Sequence, residues 1–344
     1  MKEKRGAIFY FRRVSQGSRY ARQLLYALLK VSIQCVFYRK YILLIRRHAA
    51  IGDIVCTLPS VATLRQNHPK SFIVYETGYS NMALVRHSRD VDLVVEGGSW
   101  LAKLLAKVVK TGRLFDPLLP DEYRPPRPVE RIHLVEEFKR SFGLKSLVEP
   151  PVVLDISARA LRQVKQRLQQ QRLSEKPLVV IHTGPTWKVR EWPESNWCRL
   201  VAELKNQKNL EVIQIGQDQT SFGEARQAPQ AGGARNWVGT LTISQTLALL
   251  SLADLFVGID SGVLHLAGAL NTPCVGIFGP TDPASRLPRK PCASSVTLPI
   301  PCLGCHHDAQ GPRHWQSGCP QDIRCMTELT AAEVLAVCNK HLPN

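Results

Sequence analysis

From residue 41 onward the chain repeats one pattern: a short apolar run of strand length, a polar break, then a helically spaced stretch. Residues 41–46 read YILLIR, break at residues 49–53 and give way to residues 57–67 with helical spacing. A strand, a loop and a helix are therefore predicted there. Residues 72–76 and 92–96 (DLVVE) repeat the strand signal, with polar or helical connections between them. This order predicts a parallel sheet with crossover helices. The proline-rich stretch at residues 124–128 reads as a loop, and residues 152–156 form one more strand-like run.

A polar segment rich in Arg and Gln follows, and the linker is placed at residues 158–177. A second strand series then runs through residues 178–182, 212–216, 255–259 and 275–278, with helical stretches at residues 196–205 and 244–252. Near the end, Thr330 and Glu333 have the spacing of a capping box that opens a last helix to about His341. The predicted class is α/β, with two Rossmann-like, doubly wound domains facing a cleft. Residues 41–157 form the first and residues 178–344 the second. Open sheets of this kind bind ligands at the carboxyl ends of their strands.

Composition adds a charge asymmetry. Residues 1–50 hold twelve Lys and Arg against the single acid Glu3, a net of +11 out of +17 for all 344 residues. A basic face suits anionic lipid, a phosphorylated acceptor or nucleic acid. No zinc-finger, RRM or helix-turn-helix signature is present, so nucleic acid is not an expected partner. The apolar run at residues 24–37 is interrupted by Lys30 and is shorter than the ~20 residues of a spanning helix. Residues 1–40 are read as a basic extension, either lying on a membrane surface or simply solvated or packed. No secretory signal is recognised, so the ten cysteines are expected as thiols in a reducing compartment.

Three strand-end constellations carry candidate chemistry. Gly52-Asp53 follows the first strand. Asp53 would project into the cleft, or else cap the next helix. Asp260-Ser261-Gly262, with His265 one turn on, follows the LFVGI strand at the start of an apolar helix. Free N–H groups and the helix dipole there make an anion site, with His265 either facing it or serving only the core. The loop TGPTWKVREW offers Thr186, Lys188 and Arg190 to a negative ligand, and residues 279–282 form a rim turn with Asp282 as a sugar contact.

The segments RRHAAIGDIVCTLPSVATLRQNHP, REWPESNW and VGIDSGVLHLAGALNTPCVGIFGPTDP together resemble the lipopolysaccharide heptosyltransferase family, glycosyltransferase family 9, over residues 41–340. The resemblance implies a GT-B fold and inverting transfer of heptose from ADP-heptose to a lipid-linked anionic core saccharide. It also implies work at the cytoplasmic face of the inner membrane, without a catalytic cofactor. Asp53 then matches the proposed base, while Asp260, Ser261, Gly262 and His265 match the donor-binding motif, with Ser261 replacing a Thr. Arg190 stands where the family has its diphosphate-binding Lys, with Lys188 nearby. Thr186 matches the phosphate-binding Thr, and Leu241 falls where the backbone contacts adenine. An acid used on the nucleoside has no clear counterpart, Glu224 being the candidate. A relative acting on a protein or another polysaccharide, or a non-catalytic binding protein, are the alternatives.

Cys302, Cys305, Cys319 and Cys325 have the spacing of a four-thiolate knuckle with His306, His307 and His314 among them. They are candidates for a structural zinc or iron site, or are unligated thiols.

Overall fold

A computed structural model of the chain describes residues 25–26, 29–31, 33–34, 41–97, 113–115, 132–145, 150–173, 176–218, 226–307 and 318–342. The loop expected at residues 124–128, the candidate Glu224, and most of the basic extension lie outside them. Among the described residues no helix is long and apolar enough to cross a membrane.

The elements in the first half are β1 (Ile42–Arg46), α1 (Ile51–Asn67), β2 (Phe72–Thr77), α2 (Tyr79–Val85), β3 (Leu93–Glu96), β4 (Arg113–Phe115) and α3 (Leu134–Ser141). Their sheet is parallel throughout, in the order β3-β2-β1-β4. β1 and β2 are almost wholly buried, as a sheet covered on both faces requires. Residues 152–156, read as a strand, make only an isolated antiparallel bridge between Leu154 and Ser88. Leu154 is buried in the core and Val152 and Ile156 pack against it, and an apolar run by itself does not distinguish that from a ladder.

The second half holds α4 (Ala158–Gln170), β5 (Leu178–His182), α5 (Glu194–Lys208), β6 (Glu211–Ile215), β7 (Arg235–Asn236), α6 (Ile243–Leu250), β8 (Leu255–Ile259), α7 (Gly262–Ala269), β9 (Cys274–Ile277), α8 (Pro283–Arg286), β10 (Ala293–Val296), α9 (Arg324–Thr327) and α10 (Ala331–Cys338). Six parallel strands run in the order β10-β9-β8-β5-β6-β7. The step from β5 to β8 on one side and β6 on the other is a topological switch point, where the two crevice walls part.

The segment assigned to the linker is mostly the helix α4. Ser157 caps it, and Ala160, Val164 and Leu168, four residues apart, bury one stripe. α4 packs on α6, and Arg167 stacks 3.8 Å over the Trp237 ring. Burying Val164 and Leu168 is worth roughly 1.5–3 kcal/mol each, which makes the segment part of the second sheet's core. The capping box at Thr330 and Glu333 is present as expected.

Candidate active site

The first helix starts earlier than its pattern implied. α1 begins at Ile51, so Gly52 and Asp53 lie in its first turn and the N-cap position belongs to Ala50. Asp53 therefore supports the helix dipole without being the cap. Its Oδ1 lies 3.5 Å from a terminal nitrogen of Arg47, the residue directly after β1. Arg47 is 4 % exposed and Asp53 25 %, so the pair leaves the carboxylate reachable and its partner fixed. The Arg47 guanidinium also lies 5.2 Å from the Phe138 ring centroid, on α3.

The second sheet builds a matching pair. Asp260 follows β8, and Ser261 is the extended N-cap of α7 with no side-chain capping bond. Arg190 ends a 3-10 turn, Lys188–Arg190, in the loop after β5, and its terminal nitrogen lies 3.3 Å from Asp260 Oδ2. Burial opposes ionisation of Asp260, but Arg190, His265 and Arg286 together outweigh it and hold its carboxyl below the usual range. Burial lowers the Arg190 value, and Asp260 and Asp53 work against that loss. Arg190 stays charged at neutral pH, since guanidinium does not titrate there.

Several buried polar atoms here make no hydrogen bond: Arg190 Nε, Asp260 Oδ2, Ser261 Oγ and His182 Nδ1. Ser261 is the N-cap of α7 and Arg190 pairs with Asp260 beside it, while His182 ends β5 with its ring next to Gly216. Buried polar atoms are rarely left unsatisfied, and Asp260 Oδ2 has only its ion pair with Arg190 at 3.3 Å.

The two helix N-termini meet. A Cβ built on Gly262 would lie 2.9 Å from the Gly52 backbone nitrogen and 2.9 Å from Ile51 Cβ. A Cβ on Gly52 would lie 3.1 Å from a His265 ring carbon. Two positive helix ends repel, and here each has its own aspartate, Asp53 or Asp260, in or beside its first turn. His265 Nδ1 also lies 3.5 Å from Cys56 Sγ, across the cleft. Burial pushes His265 down to about 4 in spite of Asp260, so it is a neutral hydrogen-bonding group at pH 7 and not a cation.

The remaining candidates are less central. Thr186 is held by Glu191 and Arg226: its N–H donates to Glu191 Oε1 at 3.0 Å and its carbonyl accepts from Arg226. Lys188 is exposed while Arg190 reaches Asp260. Leu241 packs against the core just after β7. Asp282 caps α8 through the Ala284 N–H. Other acids at first-sheet strand ends are engaged. Glu76 binds Arg46 at 2.9 Å and His48 at 3.1 Å, and Asp92 binds Arg65 and the Ile73 N–H.

Sequence reasoning missed Arg47, Arg286 and His133. Arg47 was counted only as charge, although its place one residue past a strand was a usable signal. Arg286, at the end of α8, acts electrostatically on Asp260, His265 and Arg190. His133 caps α3 with Nδ1 and donates from Nε2 to the Leu287 carbonyl at 2.8 Å, tying the two halves together.

Cys302, Cys305 and Cys319 act electrostatically on Cys325. Burial pushes the Cys325 thiol up to about 12, and Cys305, Cys302 and Cys319 add to the effect. Cysteine sulfurs suit zinc or iron only once deprotonated. Among the described residues, however, no three His, Cys, Asp or Glu side chains are drawn together at metal-binding geometry, and His314 lies outside them. The knuckle lies against the site: Gly304 and His306 N–H groups donate to the Gly279 and Pro280 carbonyls at 2.9 and 2.8 Å.

Two parallel α/β sheets whose strand ends and helix N-termini face each other define the GT-B class of fold. The model of glycosyltransferase family 9 (heptosyltransferase) matches residues 122–315, more than half of the chain, and the chain belongs to that family. It is 27% identical over 210 residues to lipopolysaccharide heptosyltransferase 1 of Pseudomonas aeruginosa, covering 56% of each. It is 30% identical over 222 residues to the autotransporter heptosyltransferase TibC of Escherichia coli, covering 59% of this chain and 49% of TibC. The chain thus spans about half the length of the curated relatives it matches. Among solved structures, Escherichia coli ADP-heptose lipopolysaccharide heptosyltransferase II superposes with a TM-score of 0.62 at 18% identity, over 87% of this chain and 98% of that one. The iron-containing, dodecameric TibC gives 0.67 at 21% identity, over 88% and 76%, and is also known in complex with ADP-D-beta-D-heptose.

Proposed function

We propose that this chain is an inverting glycosyltransferase that moves a heptose from ADP-heptose to a lipid-linked, anionic core saccharide of lipopolysaccharide. The observation that carries the reading is the buried pair of Arg190 and Asp260, with Arg190 Nε and the N-cap Ser261 Oγ unsatisfied beside it at the start of α7. Asp53 stands on the facing helix. Family membership supports heptose as the sugar, and the relative solved with ADP-D-beta-D-heptose supports the nucleotide.

In this reading the acceptor hydroxyl oxygen attacks the anomeric carbon as Asp53 takes its proton. The bond from that carbon to the diphosphate oxygen breaks, and the leaving ADP keeps the electron pair. Arg190 and the α7 N–H groups balance its developing charge, a preorganised arrangement. Neutral His265 and ionised Asp260 would hydrogen-bond the sugar. Arg47 holds Asp53 in position through the 3.5 Å ion pair. Cys302, Cys305, Cys319 and Cys325 would hold a zinc or iron ion in a structural role.

The net charge of +11 over residues 1–50 supports a peripheral site on the cytoplasmic face of the inner membrane. A protein acceptor is the second reading, favoured by the likeness to an autotransporter heptosyltransferase that is iron-containing. A thermal-shift screen of ADP-, GDP- and UDP-sugars tests the donor, because stabilisation grows with concentration over Kd. Stabilisation by ADP-sugars alone is expected, and an equal response to all three would remove the ADP assignment.

A further inference from the structure

We infer that Trp187 is a positioning residue for the donor's diphosphate, and that the cysteine knuckle acts on the donor site through it. The inference rests on the reading of Arg190 as the diphosphate ligand. The Trp187 ring has the Arg190 guanidinium 3.7 Å from its centroid and the His306 ring centroid at 4.9 Å, the two rings tilted by 58°. One side chain therefore joins the cation of the site to the knuckle. His306 is fixed in turn, because its own N–H donates to the Pro280 carbonyl and the Gly304 N–H donates to the Gly279 carbonyl. The knuckle fits closely on that turn. A Cβ on Gly279 would lie 2.7 Å from both Cys325 Sγ and Met326 Sδ.

The stacking matters because Arg190 has a competing partner. Its ion pair with Asp260 is 3.3 Å long, and its buried Nε makes no hydrogen bond. A planar cation held face-on to an indole keeps its orientation, with edge donors turned to the ligand. Without the ring, Arg190 is free to close on Asp260, and an entering diphosphate must displace a tighter pair. Removing His306 loosens Trp187 and produces the same effect in weaker form.

ADP affinity, measured by titration calorimetry on the full chain, tests this with variants W187A, W187F, H306A, H306F, R190A and W187A/R190A. W187A is expected to weaken ADP roughly 3- to 30-fold, the range of a partly desolvated cation–π contact. W187F should recover most of the loss. H306A should weaken ADP by a smaller factor, with recovery in H306F. In the R190A background, W187A should have no further effect, since Trp187 acts through Arg190. A W187A loss that persists in full without Arg190 overturns the positioning role, and unchanged affinity in H306A overturns the link to the knuckle. If W187A does not fold, the two His306 variants carry the test, because both keep the indole. Wild-type affinity in R190A instead overturns the diphosphate reading itself, and the inference falls with it.

Discussion

Gly262 faces Gly52 so closely that a Cβ on Gly262 would lie 2.9 Å from the Gly52 backbone nitrogen. The missing side chain therefore makes room for the first helix of the other half, and not for a ligand alone. The Asp-Ser-Gly motif and the Gly-Asp motif are two sides of one contact.

Gly262→Ala is accordingly expected to lower the melting temperature with no nucleotide present. Overpacking of this kind costs roughly 1–3 kcal/mol. Differential scanning calorimetry of the ligand-free protein checks it. A variant that melts with the wild type while losing ADP affinity would assign Gly262 to the ligand only.

Asp53→Asn separates proton transfer from helix support. The amide keeps the shape and some of the hydrogen bonding but takes no proton at neutral pH. Turnover should fall ~10²–10⁴-fold, the usual worth of a positioned base, with little change in donor affinity or melting temperature. Near-normal turnover in a folded variant would remove Asp53 as the base. Glu76 and Asp92, the next acids along, are already bound to Arg46, His48 and Arg65, and make poor substitutes.

Acid should destabilise the fold through its buried histidines. Burial pushes His133, His182 and His265 down to about 4, against ~6.5 in an unfolded chain. Between those values the unfolded state binds protons that the folded state does not, so stability is full above about pH 6.5 and declines as pH falls toward 4. Each histidine contributes up to ~1.4 kcal/mol per pH unit in that window. Urea titrations from pH 7.5 to 5 should show the decline, and His182→Asn should flatten it by about one proton. Constant stability over that range would contradict the buried, neutral assignment.

Protein prepared without oxygen is expected to hold about one zinc or iron per chain. The basis is the spacing of Cys302, Cys305, Cys319 and Cys325 in the sequence. Elemental analysis reads this directly, and Cys305→Ser should abolish the metal. Metal-free wild-type protein would leave the four as thiols.

The main elements were legible because strand and helix periods are local properties. β1, β2, β5, β6 and β8 are apolar runs of the right length, and α10 has its capping box in the sequence. The motif positions followed, since ligands gather at strand ends in any open parallel sheet. Sheet-edge strands escaped notice: β4, β7 and β10 are short and partly polar, and become strands only because a neighbour offers a ladder. The helix α4 within the segment assigned to the linker was not legible, because only Ala160, Val164 and Leu168 are buried in an otherwise polar stretch. The pairing of Arg47 with Asp53 and of Arg190 with Asp260, the contact of Cys56 with His265, and the Trp187 bridge to His306 were decided by tertiary structure. Most of these partners lie many residues apart, 209 for Cys56 and His265. Local periodicity carries no information about such pairs: three form within one half, between a strand-end loop and a neighbouring element, and the pair of Cys56 and His265 forms only where the two sheets meet.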